Sequence, residues 1–188
     1  MISARLGHAS DRLLGGIARR LDINPNIVTF LGFLITALAG IVLSRNLLLG
    51  GVLIIVGGFF DILDGAIART NNRVTSFGAF LDSVLDRYAD AFLFLGAAWY
   101  LKNNLIGASL SIGTLVGSLL ISYTRARAEG LGIECKVGIM ERPERVILLA
   151  FGALSEWLIE VLWIMFPLTH ITALQRVFHV WRVSRGIR

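Results

Sequence analysis

The sequence predicts an all-α, polytopic membrane protein of six transmembrane helices preceded by an amphipathic interfacial helix. Three observations lead there. Of 188 residues 55% are hydrophobic and only 16% are charged, more apolar side chain than a soluble domain of this length has interior to hide. Most of the apolar residues run in stretches near or above ~18, the length a helix needs to cross a hydrocarbon layer about 30 Å thick. Short polar breaks separate the stretches, at Asn24, Pro25 and Asn26, at Arg45 and Asn46, at 70–73 and at 102–104. No internal repeat or low-complexity tract divides the chain, so 1–188 reads as one unit, with the interfacial helix over 3–22 and the membrane core over 27–183.

Over 3–22, Leu6, Ala9, Leu13, Ile17 and Leu21 form one helical stripe while Arg5, Arg12, Arg19 and Arg20 lie mostly elsewhere, the pattern of a helix resting on a membrane surface. The arginines and Asp11 interrupt any run a cleavable signal peptide would need. Pro25 or Asn26 starts the next helix. Spans follow over 27–44, 47–69, 77–101, 105–129, 141–154 and 157–183. The fifth is short for a full crossing, and Pro167 is expected to bend the sixth. Ser109, Gly113 and Gly117 recur every four residues, a small-residue stripe suited to close packing within the chain or to dimerisation.

With six spans, Arg45 and Lys102 alone among the 18 Lys and Arg fall on one side of the membrane. The positive-inside rule therefore puts both termini, the 70–73 turn and the 125–145 loop on the cytoplasmic face of the cell membrane. The net charge of +5 then faces anionic lipid or substrate rather than nucleic acid. A single Cys135 excludes a disulfide within the chain, and no cysteine–histidine spacing fits zinc or an iron–sulfur cluster.

The chemistry concentrates between Asp61 and Asp86. Asp61 and Asp64 stand at i,i+3 and Asp82 and Asp86 at i,i+4, so each pair shares a helix face, and the polar 70–73 turn folds one helix back on the other. A carboxylate deep in a membrane helix costs roughly 2.5–3.5 kcal/mol, so four would cost on the order of 10–14 kcal/mol, about the whole stability of a domain. Hard oxygen ligands of this kind suit magnesium, manganese or calcium, two of which would balance the charge. Gly65 and Gly78 let a ligand, or a neighbouring helix, come close.

The pattern D-x-x-D-G-x-x-A-R, eight residues, G-x-x-x-D-x-x-x-D, present without departure at Asp61, Asp64, Gly65, Ala68, Arg69, Gly78, Asp82 and Asp86, resembles that of the CDP-alcohol phosphotransferase family. The resemblance implies an integral membrane enzyme of six helices, generally a homodimer. It implies two ions, Mg2+ or Mn2+, held by Asp61, Asp64, Asp82 and Asp86. The CDP moiety of a CDP-linked lipid would lie at Gly65, Ala68, Arg69 and Gly78, with Thr75 beside them. An acceptor hydroxyl, deprotonated by Asp86, would displace CMP.

Arg125, Arg127, Arg142, Arg145 and Arg176 stand at the same membrane depth as the aspartates. Arginine forks bind phosphate oxygens bidentately, although such residues also snorkel to headgroups or set topology. The stretches S-Y-x-[KR]-A-R-A-E, I-x-E-R-P-E-R and Q-R-x-x-H-x-W, the last at Gln175, Arg176, His179 and Trp181, are similar to the family's inositol-phosphate-transferring branch. The likeness extends from Pro25 to Trp181 and departs at Arg125, where members of that branch have lysine. It implies CDP-diacylglycerol or CDP-archaeol as donor and the phosphorylated polyol myo-inositol 1-phosphate as acceptor. Glycerol 3-phosphate, then a free alcohol, are the alternative acceptors. A cation transporter is the rival outside enzymes, but it predicts acidic residues spread through the bilayer rather than gathered at one face. A lipid-binding scaffold gives no reason for four metal-ligand aspartates.

Overall fold

The computed structural model describes Gly16, Ala18 and residues 23–186. Beyond the helical Gly16 and Ala18, the described residues form six helices: α1 (Pro25–Leu43), α2 (Leu47–Thr70), α3 (Ser76–Tyr100), α4 (Leu105–Glu129), α5 (Arg142–Leu154) and α6 (Leu158–Ser184). Each expected span lands within two residues of a helix, and at the starts of α1, α2, α3 and α4 the polar breaks are N-caps. Asn24, Asn46, Thr75 and Asn104 accept from the amides of Asn26, Leu49, Gly78 and Gly107 at 2.9–3.0 Å. Pro25 and Pro143 occupy the first turns of α1 and α5, where a missing amide costs nothing. Asn72 takes the left-handed φ of 53° that lets the 70–73 turn reverse the chain, a conformation asparagine tolerates.

Helices α1, α2, α4 and α6 are long and apolar enough to cross a membrane. The expectation of six spans meets two helices of another kind. α3 has 25 residues but carries Asp82, Asp86, Arg87 and Asp90, and α5 has only 13. Both spend their sequence on the polar site. Of the expected interfacial helix over 3–22, only Gly16 and Ala18 are described, both helical; the rest lies outside the described residues. Ala18 packs with Val28, Leu63, Ala66 and Ile67, and its carbonyl accepts from Asn71 Nδ2 at 3.2 Å.

The contacting pairs α1–α2, α2–α5, α5–α6, α6–α4, α4–α3 and α3–α1 close into a ring. The largest apolar core, with Leu43, Ile54, Leu93, Phe94, Leu149, Leu158 and Met165, fills one end of it. It draws on the C-terminal parts of α1, α3 and α5 and the N-terminal parts of α2, α4 and α6. The opposite end therefore receives the acidic part of α2, the acidic part of α3, and the arginines of α4, α5 and α6.

The small-residue stripe is used inside the chain. A Cβ on Gly113 would stand 2.6 Å from the Phe166 ring, and one on Gly117 would collide with Thr169, so the two glycines let α4 lie directly on α6. Ser109 is exposed. α6 continues through Pro167. The 130–141 segment between α4 and α5 is tied to α6, where Thr172 Oγ1 accepts from the Met140 amide at 3.2 Å and His179 Nε2 meets the Glu134 carbonyl at 2.9 Å.

Candidate active site

Two antiparallel helices joined by a short turn bring the first and second halves of the aspartate motif face to face. Asp61, Asp82 and Asp86 each place one carboxylate oxygen within 4.8 Å of the others. Asp64, one turn further along α2, stands outside that group but is buried, and its Oδ2 has no hydrogen-bond partner. A buried carboxylate oxygen without a donor beside three convergent carboxylates is the arrangement a hard divalent cation completes. Oxygen ligands alone point to magnesium, manganese or calcium chemistry rather than zinc.

Arg87 Nη1 stands 3.6 Å from Asp86 Oδ2 at the edge of the cluster, and a second guanidinium reaches further in. Arg142, in the first turn of α5, sets Nη1 at 2.5 Å from Asp61 Oδ2 and 2.9 Å from Asp86 Oδ1. It is the residue that joins α5 to both halves of the motif.

Gly65, Ala68, Arg69, Thr75 and Gly78 line the approach to the 70–73 turn on α2 and α3. A Cβ on Gly65 would come 3.0 Å from Arg69 Nη1, and one on Gly78 2.9 Å from Asn26 Oδ1, so the missing side chains leave room for Arg69 and Asn26 themselves. Thr75 caps α3 through the Gly78 amide at 3.0 Å. Arg69 is exposed and Ala68 half-buried, the Ala68 carbonyl accepting from the Arg73 amide at 2.8 Å.

Beyond Asp86 a cavity of about 380 Å³ opens between α3, α4, α5 and α6. Arg125, Arg142, Arg145 and Arg176 wall it, with Asp86 and Asp90 on the α3 side. Arg127 is not brought to it. Two residues from Arg125 on a helix is about 200° of rotation, and Arg127 is exposed on the outer face. Arg125 Nε pairs with Glu129 Oε1 at 2.8 Å. Arg176, only 2% exposed, donates from Nη1 to the Ile121 carbonyl at 2.6 Å and from Nε to the Val137 carbonyl at 2.9 Å. It thus also ties the 130–141 segment to α4 and α6.

Asp90 is the participant that motif spacing did not single out. It is buried, with Oδ2 accepting from Ser118 Oγ at 2.5 Å and from Arg145 Nη2 at 2.9 Å. The signal was present, since Asp82, Asp86 and Asp90 continue one i,i+4 ladder on α3.

A carboxylate cluster suited to a divalent cation, opening into a cavity walled by arginines at one end of a membrane bundle, defines an enzyme that handles phosphorylated groups at the membrane. The chain belongs to the CDP-alcohol phosphatidyltransferase family, whose pattern matches residues 22–181. Its relatives include the archaetidylinositol phosphate synthase of Methanothermobacter thermautotrophicus, 38% identical over 178 residues that cover 91% of this chain and 90% of that protein. The phosphatidylinositol phosphate synthase of Mycobacteroides abscessus is 35% identical over 179 residues, covering 89% and 81%. A crystal structure of Mycobacterium tuberculosis phosphatidylinositol phosphate synthase with CDP-DAG bound has the same fold, with a TM-score of 0.82, 33% identity and coverage of 90% of this chain and 94% of that one. The same enzyme in complex with manganese and citrate gives a TM-score of 0.80 at 32% identity, covering 88% of each chain.

Proposed function

We propose that this enzyme transfers the phosphatidyl-type group of a CDP-linked lipid to myo-inositol 1-phosphate and releases CMP. The observation that carries the reading is the cavity beside Asp86, whose four wall arginines make a receptor for a phosphorylated acceptor next to the reaction centre. The relatives named as inositol phosphate lipid synthases support the acceptor, and the CDP-DAG-bound neighbour supports the donor.

Asp61, Asp64, Asp82 and Asp86 would hold two divalent ions, Mg2+ or Mn2+. Bound there, these supply neutralisation of the donor's diphosphate and stabilisation of the departing CMP phosphate. Gly65, Ala68, Arg69, Thr75 and Gly78 receive the CDP moiety. Arg125, Arg142, Arg145 and Arg176 hold the acceptor's phosphate, which presents its hydroxyl toward Asp86. Asp86 takes the proton from that hydroxyl as it attacks the lipid-bearing phosphorus. Arg127, on the outer face, meets anionic headgroups instead. All six helices cross or enter the membrane of the cell, α3 and α5 shielded by their neighbours, with both termini and the site facing the cytoplasm where the nucleotide is made. The enzyme acts as a homodimer whose contact lies outside the α4–α6 glycine seam.

The test is CMP release from purified protein in lipid, with a CDP-lipid as donor and a panel of acceptors, with and without magnesium or manganese. Myo-inositol 1-phosphate is expected to give the highest kcat/KM, and both metals are expected to be activating. A preference for glycerol 3-phosphate or free inositol would overturn the acceptor, and absence of CMP with every acceptor would overturn the reaction.

A further inference from the structure

Asp90 has no part in the donor or cation sites, yet it is the residue on which three helices converge. It lies one turn beyond Asp86, is 4% exposed and forms part of the cavity wall. Its Oδ2 takes hydrogen bonds from Ser118 on α4 and Arg145 on α5, and its Oδ1 stands 3.8 Å from Arg142 Nε. A buried ion pair of this kind contributes little to stability, because apolar side chains of equal volume would join α3 to α5 about as well without the desolvation cost. What a carboxylate adds is direction.

Arg145 shows how. Nη2 is held by Asp90 and Nη1 by the Met140 carbonyl at 3.3 Å, which fixes the guanidinium plane, while Nε is buried with no acceptor. Arg142 repeats the arrangement, with Nη1 on Asp61 and Asp86 and Nε buried and unpaired in hydrogen bonding. Both guanidinium groups thus sit on the wall of one cavity in orientations set by neighbouring oxygens rather than by solvent.

We propose that Asp90 is a positioning residue of the acceptor site: its carboxylate locks Arg145, and draws Arg142 to the same wall, so that both arginines meet the acceptor's phosphate in one fixed orientation. The inference rests on reading the cavity as the acceptor site. Ser118 belongs to the same device, since its hydroxyl fixes the oxygen that Arg145 uses.

The experiment uses the full chain reconstituted in lipid and measures CMP release against myo-inositol 1-phosphate and, separately, against the CDP-lipid. Asp90→Asn keeps the shape and removes the charge. Acceptor KM is expected to rise on the order of tenfold to a hundredfold, the usual effect of removing a group that orients a binding side chain, with the CDP-lipid KM within about twofold of wild type. Ser118→Ala is expected to move acceptor KM in the same direction by less, and it serves where Asp90→Asn does not fold. The double variant Asp90→Asn, Arg145→Met removes both buried partners. Its thermal midpoint is expected to return toward wild type while acceptor KM stays high. An unchanged acceptor KM in both single variants, an equal rise for both substrates, or a double variant that regains wild-type KM would show the pair to be structural only. A wild-type protein that ignores myo-inositol 1-phosphate would sink the acceptor reading and this inference with it, whereas an active wild type with unshifted variants sinks this inference alone.

Discussion

At the scale of single residues the site is a problem in placing charge. Asp61, Asp82 and Asp86 crowd their oxygens into 4.8 Å, and Arg142 is inserted between two of them. With Arg87 also 3.6 Å from Asp86, two arginines stand against four carboxylates once Asp64 is counted, and the remaining negative charge is the condition for drawing in a divalent ion. Asp86 differs from the others in bordering both the cluster and the cavity. Asp86→Asn is expected to abolish CMP release while CDP-lipid still binds, as read by turnover and by equilibrium binding of the donor; full activity would remove Asp86 from the proton transfer. Arg176 has two duties, because its guanidinium satisfies the Ile121 and Val137 carbonyls as well as walling the cavity. Arg176→Met is expected to raise acceptor KM and also to lower stability by about 1–3 kcal/mol for each carbonyl left without its donor, measured by thermal unfolding in detergent. The motif aspartates were legible from spacing alone. The partners of Arg142 and Arg145 were not, since they lie 81 and 55 residues away in the chain.

At the scale of elements, local signals placed the starts of five of the six helices, α6 beginning after Trp157 with neither a side-chain cap nor a first-turn proline. Asparagine or threonine caps and the prolines at first turns mark starts by backbone chemistry that acts within three or four residues, so a linear reading finds them. The same reading left two uses open for Ser109, Gly113 and Gly117, because a bare helix surface suits a neighbour in the chain as well as a second copy. Packing decides for two of them, with Gly113 against Phe166 and Gly117 against Thr169. Gly117→Leu is expected to push α4 off α6 and cost roughly 1–3 kcal/mol or more, seen as a lower thermal midpoint. Since Arg176 on α6 reaches the Ile121 carbonyl on α4 across that seam, activity is expected to fall with it. Ser109→Leu, on an exposed position, is expected to leave the midpoint unchanged.

At the scale of the whole molecule the ring of six helices is divided along its length. One end is closed by large apolar side chains, and the other holds a polar cavity that an interior without water would not tolerate unless its charges were matched. Stability is therefore expected to depend on a divalent cation bound at the carboxylates. Manganese or magnesium is expected to raise the thermal midpoint, by up to about 2.7 kcal/mol of stability at a hundredfold excess over Kd. A chelator reverses it, and Asp82→Asn abolishes the shift. A midpoint indifferent to metal would contradict the assignment of the carboxylates, independently of any assay of turnover.

What the sequence determined by itself is whatever rests on neighbours along the chain: membrane-grade composition, helix limits set by caps and turns, and four aspartates whose helical spacing puts each pair on one face. Tertiary structure alone decided which arginines share a cavity, that Arg127 faces away from it, that Arg142 enters the aspartate cluster, and that Asp90 gathers α4 and α5 onto α3. The reason is physical. A helix repeats every 3.6 residues whatever surrounds it, so its faces can be read from spacing, but the rotation of each helix against the next is settled by side chains meeting across the bundle.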